Sequence, residues 1–243
     1  HYDYAMRSMK SGKHVLCEKP ITLTKRETEE LYDFAEEHNL VIMEGIKTAF
    51  CPGFNKLISM ACSGKIGTVR NIEACFTKLE NPKSRELTDT EYGGSFTELA
   101  SYTLLPIIKL FGTDYEEVRF DSIKNEKGID IFTKAYFRYK SGMATATCGL
   151  GVKSEGQLII SGTNGYILAE SPWWKTSYFE VRYEDPNNIE KYSEVFLKFG
   201  LRYELSDFVS AINGNKKNDI KLTKKESVAI AGIIEEFMKT KNQ

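Results

Sequence analysis

Two short apolar runs, His14-Val15-Leu16-Cys17 and Leu40-Val41-Ile42-Met43, stand on either side of a helical pattern, and that spacing limits how the chain can begin to fold. Between them, Thr24 and Glu27 form a capping-box pair ahead of Leu31, Phe34, Ala35 and His38, which fall on one helical stripe that Asn39 closes. Tyr2 to Ser11 is a further helix, ended by Gly12. Helix, strand, helix, strand in quick succession is the rhythm of parallel α/β units, because a crossover helix returns the chain to the edge from which the first strand started.

After Glu44 the rhythm changes. Pro52 starts a helix carrying Phe54, Leu57, Ile58 and Ala61 on one side, and the Gly64 to Gly67 turn releases a strand around Val69 to Leu79. Glu80 to Tyr92 reads as a polar surface loop. A long helix follows from Phe96 to Phe111, with Phe96, Leu99, Ala100, Thr103, Ile107 and Ile108 as its core stripe and a kink expected at Pro106. Strand-like runs succeed it at Glu117 to Ser122, Ile129 to Tyr139, Met143 to Gly149, Gln157 to Ser161 and Tyr166 to Glu170. In the second of these, Ile129, Ile131, Thr133, Ala135, Phe137 and Tyr139 alternate with Asp130, Lys134, Arg138 and Lys140, which predicts one buried and one largely polar face. Two helices finish the chain, one bearing Leu205, Phe208, Val209 and Ile212, the other opened by a Thr223/Glu226 capping box. The expected architecture is an α/β segment over residues 1–45, followed over 46–243 by an α+β domain on a large, mostly antiparallel open sheet.

The net charge of -1 and the lack of a basic block argue against a nucleic-acid partner. No apolar run approaches the roughly 18 residues needed to span a bilayer, and the opening HYDYAMRSMK lacks the apolar core of a signal peptide, so no membrane partner and a cytoplasmic location are expected. The five cysteines are scattered with no C-x-x-C pair and read mostly as buried free thiols. The three histidines, His1, His14 and His38, all lie near the start. The remainder of the chain therefore lacks imidazole, which excludes a Ser-His-Asp triad or a His-rich metal site there, and no metal is expected.

The most informative stretch is Gly12-Lys13-His14-Val15-Leu16-Cys17-Glu18-Lys19-Pro20. It sets Lys19 at the carboxyl end of a buried strand, where open α/β sheets keep their ligands. A partly desolvated ammonium there donates to a substrate oxygen whose charge changes during reaction. Pro20 restricts Lys19 to an extended backbone and favours a cis bond, either of which fixes the aim of the side chain. The plainer reading is a solvated lysine beside Glu18 at a strand end.

This string resembles the G-K-H-V-x-x-E-K-P motif of the Gfo/Idh/MocA oxidoreductases (glucose-fructose oxidoreductase and inositol dehydrogenase type). The resemblance continues through Met43-Glu44-Gly45, Phe50-Cys51-Pro52, Gly93-Gly94 and Ile160-Ser161-Gly162. It implies that residues 1–45 are the C-terminal part of a dinucleotide-binding Rossmann domain and 46–243 a substrate-binding and oligomerisation domain. It also implies a cofactor, NAD or NADP, with Lys19 beside the nicotinamide at the hydroxyl or carbonyl undergoing hydride transfer, and Glu18, Lys19 and Pro20 as cofactor contacts. The family's second signature, an acidic residue four positions before a histidine or tyrosine after a Gly-Gly turn, matches Glu98 and Tyr102. Tyrosine at that place resembles the dihydrodiol dehydrogenase-like branch. The i, i+4 spacing stacks the two side chains on one helix face. A phenol, with a reference pKa near 10, needs a cation to act as a base at neutral pH, and Lys19 is the expected source. The alternative is a packing tyrosine and a solvated glutamate. Lys47 is implied as a substrate-lining residue beside Tyr102, and Trp173-Trp174 reads more readily as a sheet or interface anchor than as a sugar platform.

The G-x-G-x-x-G turn of a dinucleotide-binding fold is not in this sequence, and Gly149-Leu150-Gly151 does not supply it, since Ser154 stands where the third glycine belongs. The resemblance implies that roughly the first seventy to eighty residues of a typical member precede His1 and are absent here. The expected function is hydride transfer between nicotinamide and a carbinol or carbonyl carbon of a sugar, polyol or cyclic diol, the small-molecule substrate. The rival is a truncated, inactive assembly or binding module of the same family. A homo-oligomer, dimer or tetramer, is expected through the open sheet.

Overall fold

The computed structural model describes residues 1–214 and 221–241. The first part of the chain holds α1 (Tyr2–Lys10), β1 (Val15–Glu18), α2 (Lys25–Glu37), β2 (Ile42–Gly45), α3 (Lys47–Phe50) and α4 (Pro52–Cys62). Next come β3 (Val69–Thr77), α5 (Arg85–Thr88), α6 (Ser95–Phe111), β4 (Glu117–Lys124), β5 (Asp130–Tyr139), β6 (Gly142–Gly149), β7 (Leu158–Gly162) and β8 (Tyr166–Ala169). A 3₁₀ turn at Trp173–Lys175 leads to β9 (Tyr178–Arg182), β10 (Ile189–Ser193), α7 (Leu201–Ile212) and α8 (Lys224–Thr240).

Two compact units result, one formed by His1–Cys51 with Leu197–Gln243 and the other by Pro52–Phe196. This differs from a simple division at residue 45, because the last helix returns to the first unit. Helix α8 packs on α2. Its Ile230, Ile233, Ile234 and Phe237 are buried, the Tyr32 hydroxyl donates to Ser227 Oγ at 3.2 Å, and Lys224 pairs with Glu36 at 3.2 Å and with Asp33. The apolar spacing of α8 shows that it must be covered and does not say by which element.

In the first unit β1 and β2 pair in parallel, with Val15 opposite Ile42 and Glu18 opposite Gly45. Ala5, Met9, Cys17, Ile21, Leu31, Tyr32, Ala35 and Ile42 form a core beneath them. Asn39, at φ 54°, takes the left-handed conformation that ends α2. Only half of the expected Thr24/Glu27 capping box forms. Thr24 Oγ1 accepts from Glu27 N–H at 3.2 Å, but the Thr24 amide is turned to Thr22 Oγ1 at 3.4 Å. The Thr223/Glu226 box of α8 is complete.

The second unit is an eight-stranded sheet of order β10-β9-β8-β7-β3-β6-β5-β4. It is mixed, since β3 runs parallel to β6 and every other pairing is antiparallel. Helix α6 packs on β3, β5 and β6 and also meets α4 and α5, so it is apolar nearly all round rather than along a single stripe. It continues unbroken through Pro106, which has no N–H to offer the Tyr102 carbonyl four residues back. Two features depart from expectation. The Glu80 to Tyr92 loop contains α5, anchored by buried Leu87. Asp130, assigned to the polar face of its strand, is buried, whereas Ile131 is only partly so.

Candidate active site

The carboxyl ends of β1 and β2 gather four of the residues singled out in the sequence. Glu18, exposed, ends β1; Lys19 and Pro20, both half-buried, follow through a cis peptide bond. Lys47, half-buried, opens α3 one residue after β2. Because side chains alternate across a strand, the pairing of Cys17 with Glu44 and of Glu18 with Gly45 sends these residues to opposite faces.

Each face holds a buried carboxyl that the sequence reading passed over. Glu44 is 1 % exposed; its Oε1 accepts from Ile21 N–H at 3.1 Å, while Oε2 is buried with no hydrogen-bond partner. Burial pushes its carboxyl up to about 7, opposed first by the nearby Ser227 hydroxyl, then by the Ile21 amide and by the charge of Lys19. On the other face, Glu204 of α7 is 4 % exposed, and its Oε2, also unpartnered, lies 3.8 Å from where a Gly45 Cβ would stand. Burial and then the nearby Glu18 raise this carboxyl to about 7, with Lys47 opposing. Gly45 is close-packed there, its would-be Cβ falling 3.2 Å from the Cys17 carbonyl. The signal for Glu44 was its place in the Met43-Glu44-Gly45 motif at the end of an apolar run. Glu204 offered only a charged residue in the first turn of an amphipathic helix.

In the second unit, Glu98 and Tyr102 stand one turn apart on α6, Glu98 half-buried in the first turn and Tyr102 8 % exposed. The start of that helix is set by Gly93-Gly94. A Cβ on Gly93 would sit 2.4 Å from the Asp89 carbonyl, and Gly94 adopts φ 126°. Since Gly94 has no side chain to cap α6, the cap comes from a distant strand: Asp130 Oδ2 accepts from Phe96 N–H at 2.8 Å and from Thr133 Oγ1 at 3.0 Å. The Tyr102 ring lies 5.4 Å from Phe76, and Phe76 stacks on Trp174 at 3.6 Å. Trp173 is a sheet anchor, fully buried with Nε1 donating to the Cys75 carbonyl at 2.8 Å, whereas Trp174 belongs to the aromatic group around Tyr102. Of the cysteines, Cys17, Cys51 and Cys148 are buried, Cys75 is half-buried and Cys62 exposed.

Two family models match the chain. Residues 1–46 match the oxidoreductase family with an NAD-binding Rossmann fold, and residues 54–168 match the GFO/IDH/MocA C-terminal domain, together more than half of the chain. The chain belongs to the Gfo/Idh/MocA oxidoreductase family. Among curated members, it is 29% identical to scyllo-inositol 2-dehydrogenase (NADP(+)) IolU of Bacillus subtilis, over 98% of this chain and 74% of that protein. It is 26% identical to trans-1,2-dihydrobenzene-1,2-diol dehydrogenase of Bos taurus, over 98% of this chain and 73% of that protein. Among solved Gfo/Idh/MocA folds, UDP-N-acetylglucosamine 3-dehydrogenase GnnA of Acidithiobacillus ferrooxidans superposes with a TM-score of 0.80 at 19% identity, covering 98% of this chain and 76% of that one.

The family's cofactor is a nicotinamide dinucleotide. The carboxyl ends of β1 and β2, where open α/β sheets keep their ligands, carry Glu18, Lys19 and Pro20 beside a close-packed Gly45. The pyrophosphate needs a helix N-terminus with open N–H groups. Those of α2 and α8 carry their own caps, Thr24 and Thr223, and Glu235 Oε2 takes the Lys25 N–H at 2.9 Å.

Proposed function

We propose that this chain serves an NAD(P)-dependent oxidoreductase that moves a hydride between nicotinamide and a carbinol or carbonyl carbon of a sugar, polyol or cyclic diol. The observation that carries the reading is Lys19, held half-buried at the carboxyl end of a parallel strand with a buried carboxyl near it. Bound nicotinamide supplies the hydride acceptor or donor; the protein supplies the geometry and the handling of the proton. Lys19 donates a hydrogen bond to the reacting oxygen and stabilises the negative charge that gathers there as the hydroxyl proton leaves or the carbonyl is reduced. Glu18 and Pro20 border the nicotinamide. We assign the proton exchange to Tyr102, with Glu98 as its helix neighbour, and a substrate contact to Lys47. The inositol and dihydrodiol dehydrogenases to which the chain is similar support this class of substrate. The test is a fluorescence titration with NADH and NADPH, followed by turnover with scyllo-inositol and with a trans-dihydrodiol. Saturable binding and reduction of NAD(P)⁺, by this chain or by a form extended upstream of His1, support the proposal, and neither binding nor turnover by both forms removes it.

The second reading is an assembly or binding module of the family that has lost catalysis. It predicts no dinucleotide binding together with self-association in analytical ultracentrifugation. A homo-oligomer formed through the open sheet is compatible with either reading.

A further inference from the structure

We infer that Glu204 is a ligand-binding residue at the carboxyl ends of β1 and β2, its carboxyl accepting a hydrogen bond from a hydroxyl or amide N–H that the ligand brings. The inference rests on the reading of those strand ends as the place of the chemistry, and deepens it by naming what the ligand must offer on the side of α7.

Glu204 lies in the first turn of α7, the helix that packs on α3 just after β2. Its Oε2 stands 3.8 Å from where a Gly45 Cβ would be, and Gly45 is the last residue of β2, paired with Glu18 at the end of β1. The carboxyl therefore faces bare backbone where an open α/β sheet keeps its ligands. The residue is 4 % exposed, and its carboxyl makes no hydrogen bond or ion pair among the described residues. An acidic residue in a first turn ordinarily serves the free N–H groups of its helix from the solvent side, and Glu204 accepts from none of them. Ionised or protonated, a carboxyl so placed leaves polar atoms unsatisfied, a cost that packing does not explain, since an apolar side chain of the same length fills the space without it. Glu44, on the other face of the same strand pair, is instead held by the Ile21 amide at 3.1 Å. One buried carboxyl is tied into the fold, and the other awaits a donor from outside it.

That donor must be an O–H or an N–H. Sugars and polyols offer the first, and a nicotinamide carboxamide offers the second. Burial and then Glu18 of β1 raise the Glu204 carboxyl to about 7, with Lys47 of α3 opposing, so the group changes charge near neutrality. A donor bound to the carboxylate favours the ionised form. A ligand that makes this contact therefore lowers the midpoint of Glu204 and binds more tightly above that midpoint than below it.

The experiment uses the full chain and does not depend on turnover. The glutamates are labelled with ¹³C at Cδ, Glu204 is assigned through its backbone connectivities, and its titration is followed alone, with scyllo-inositol and with nicotinamide mononucleotide. One probe is expected to lower the midpoint by about one pH unit, a tenfold preference for the ionised form. Scyllo-inositol as that probe marks a hydroxyl donor, and nicotinamide mononucleotide an amide. In Glu204→Leu the affinity for the same probe, read by ligand-observed NMR, falls about ten- to hundredfold, the usual worth of a hydrogen bond to a charged group. The urea midpoint of that variant at pH 8 stays level or rises, because an unsatisfied carboxyl has been removed. A Glu204 midpoint that neither probe moves, or equal affinity in wild type and Glu204→Leu, overturns the inference. If Glu204→Leu does not fold, the midpoint in the unaltered protein decides alone. A shifted midpoint without turnover would remove the oxidoreductase reading and leave this one standing, and turnover with an unmoved midpoint would do the reverse.

Discussion

At the scale of single residues, burial opposes charge at Glu44 and Glu204, while Lys19 stands half-exposed just past the end of β1. Lys19→Met is expected to reduce NAD(P)-linked turnover by about 10²–10⁴-fold, the usual worth of a positioned proton-handling group, while leaving the denaturation midpoint nearly unchanged because the side chain is half-exposed. Steady-state kinetics beside urea unfolding checks both halves; a lost fold with the lost activity would rule the assignment out. Glu44 predicts a dependence of stability on pH. Its carboxyl rises from 4.5 to about 7 on folding, so between those values the native state binds a proton that the unfolded chain has released. Stability due to this group therefore falls as pH rises from about 4.5 to 7 and is flat above, a loss on the order of 3 kcal/mol. Glu204 acts in the same direction. In denaturant titrations, Glu44→Gln should gain on the wild type from pH 5 to pH 8, and parallel curves would contradict the burial argument. Lys19 stood out in the sequence because a motif carried it. The orphaned carboxyls were not, since a glutamate in sequence gives no sign of which face it will meet.

Among the elements, α6 is the one on which most depends. Its position was legible from Gly93-Gly94 and the apolar spacing behind it, but its cap was not, because Asp130 lies far along the chain on another strand. Asp130→Ala leaves Phe96 N–H and the Thr133 hydroxyl without their acceptor, and a loss of about 2–3 kcal/mol is expected, read as a lowered urea midpoint. A cost below that of a surface mutation would show that α6 does not need this cap. Strands β9 and β10 were missed because they are short and interrupted by charge; Phe179 and Val181, both buried and alternating with Glu180, were the available signal. The parallel β3/β6 pairing could not be read locally, since an isolated strand carries no mark of its partner's direction.

For the whole molecule, the division into units depends on the chain's last helix. Ending the chain before Lys224 removes buried Ile230, Ile233, Ile234 and Phe237 from the first unit and uncovers the face of α2 around Tyr32. At about 2–5 kcal/mol for each large aliphatic lost from a core, that unit should no longer unfold cooperatively, while the eight-stranded unit retains its own transition. Limited proteolysis with mass spectrometry would show cleavage confined to residues 1–51 and to the segment from Leu197 on, and protection there would refute the prediction. What the sequence determined by itself is what depends on neighbours along the chain. The strand-helix-strand opening, the helix caps, the strand spacing and the motif around Lys19 all follow from periodicity and short-range hydrogen bonding. What only the tertiary structure decided is what depends on residues distant in sequence: α8 covering α2, Asp130 capping α6, and Glu44 lying buried under the loop of Lys19. Burial is a property of the assembled core, and the ionisation of a carboxyl follows from that burial rather than from its neighbours in the chain.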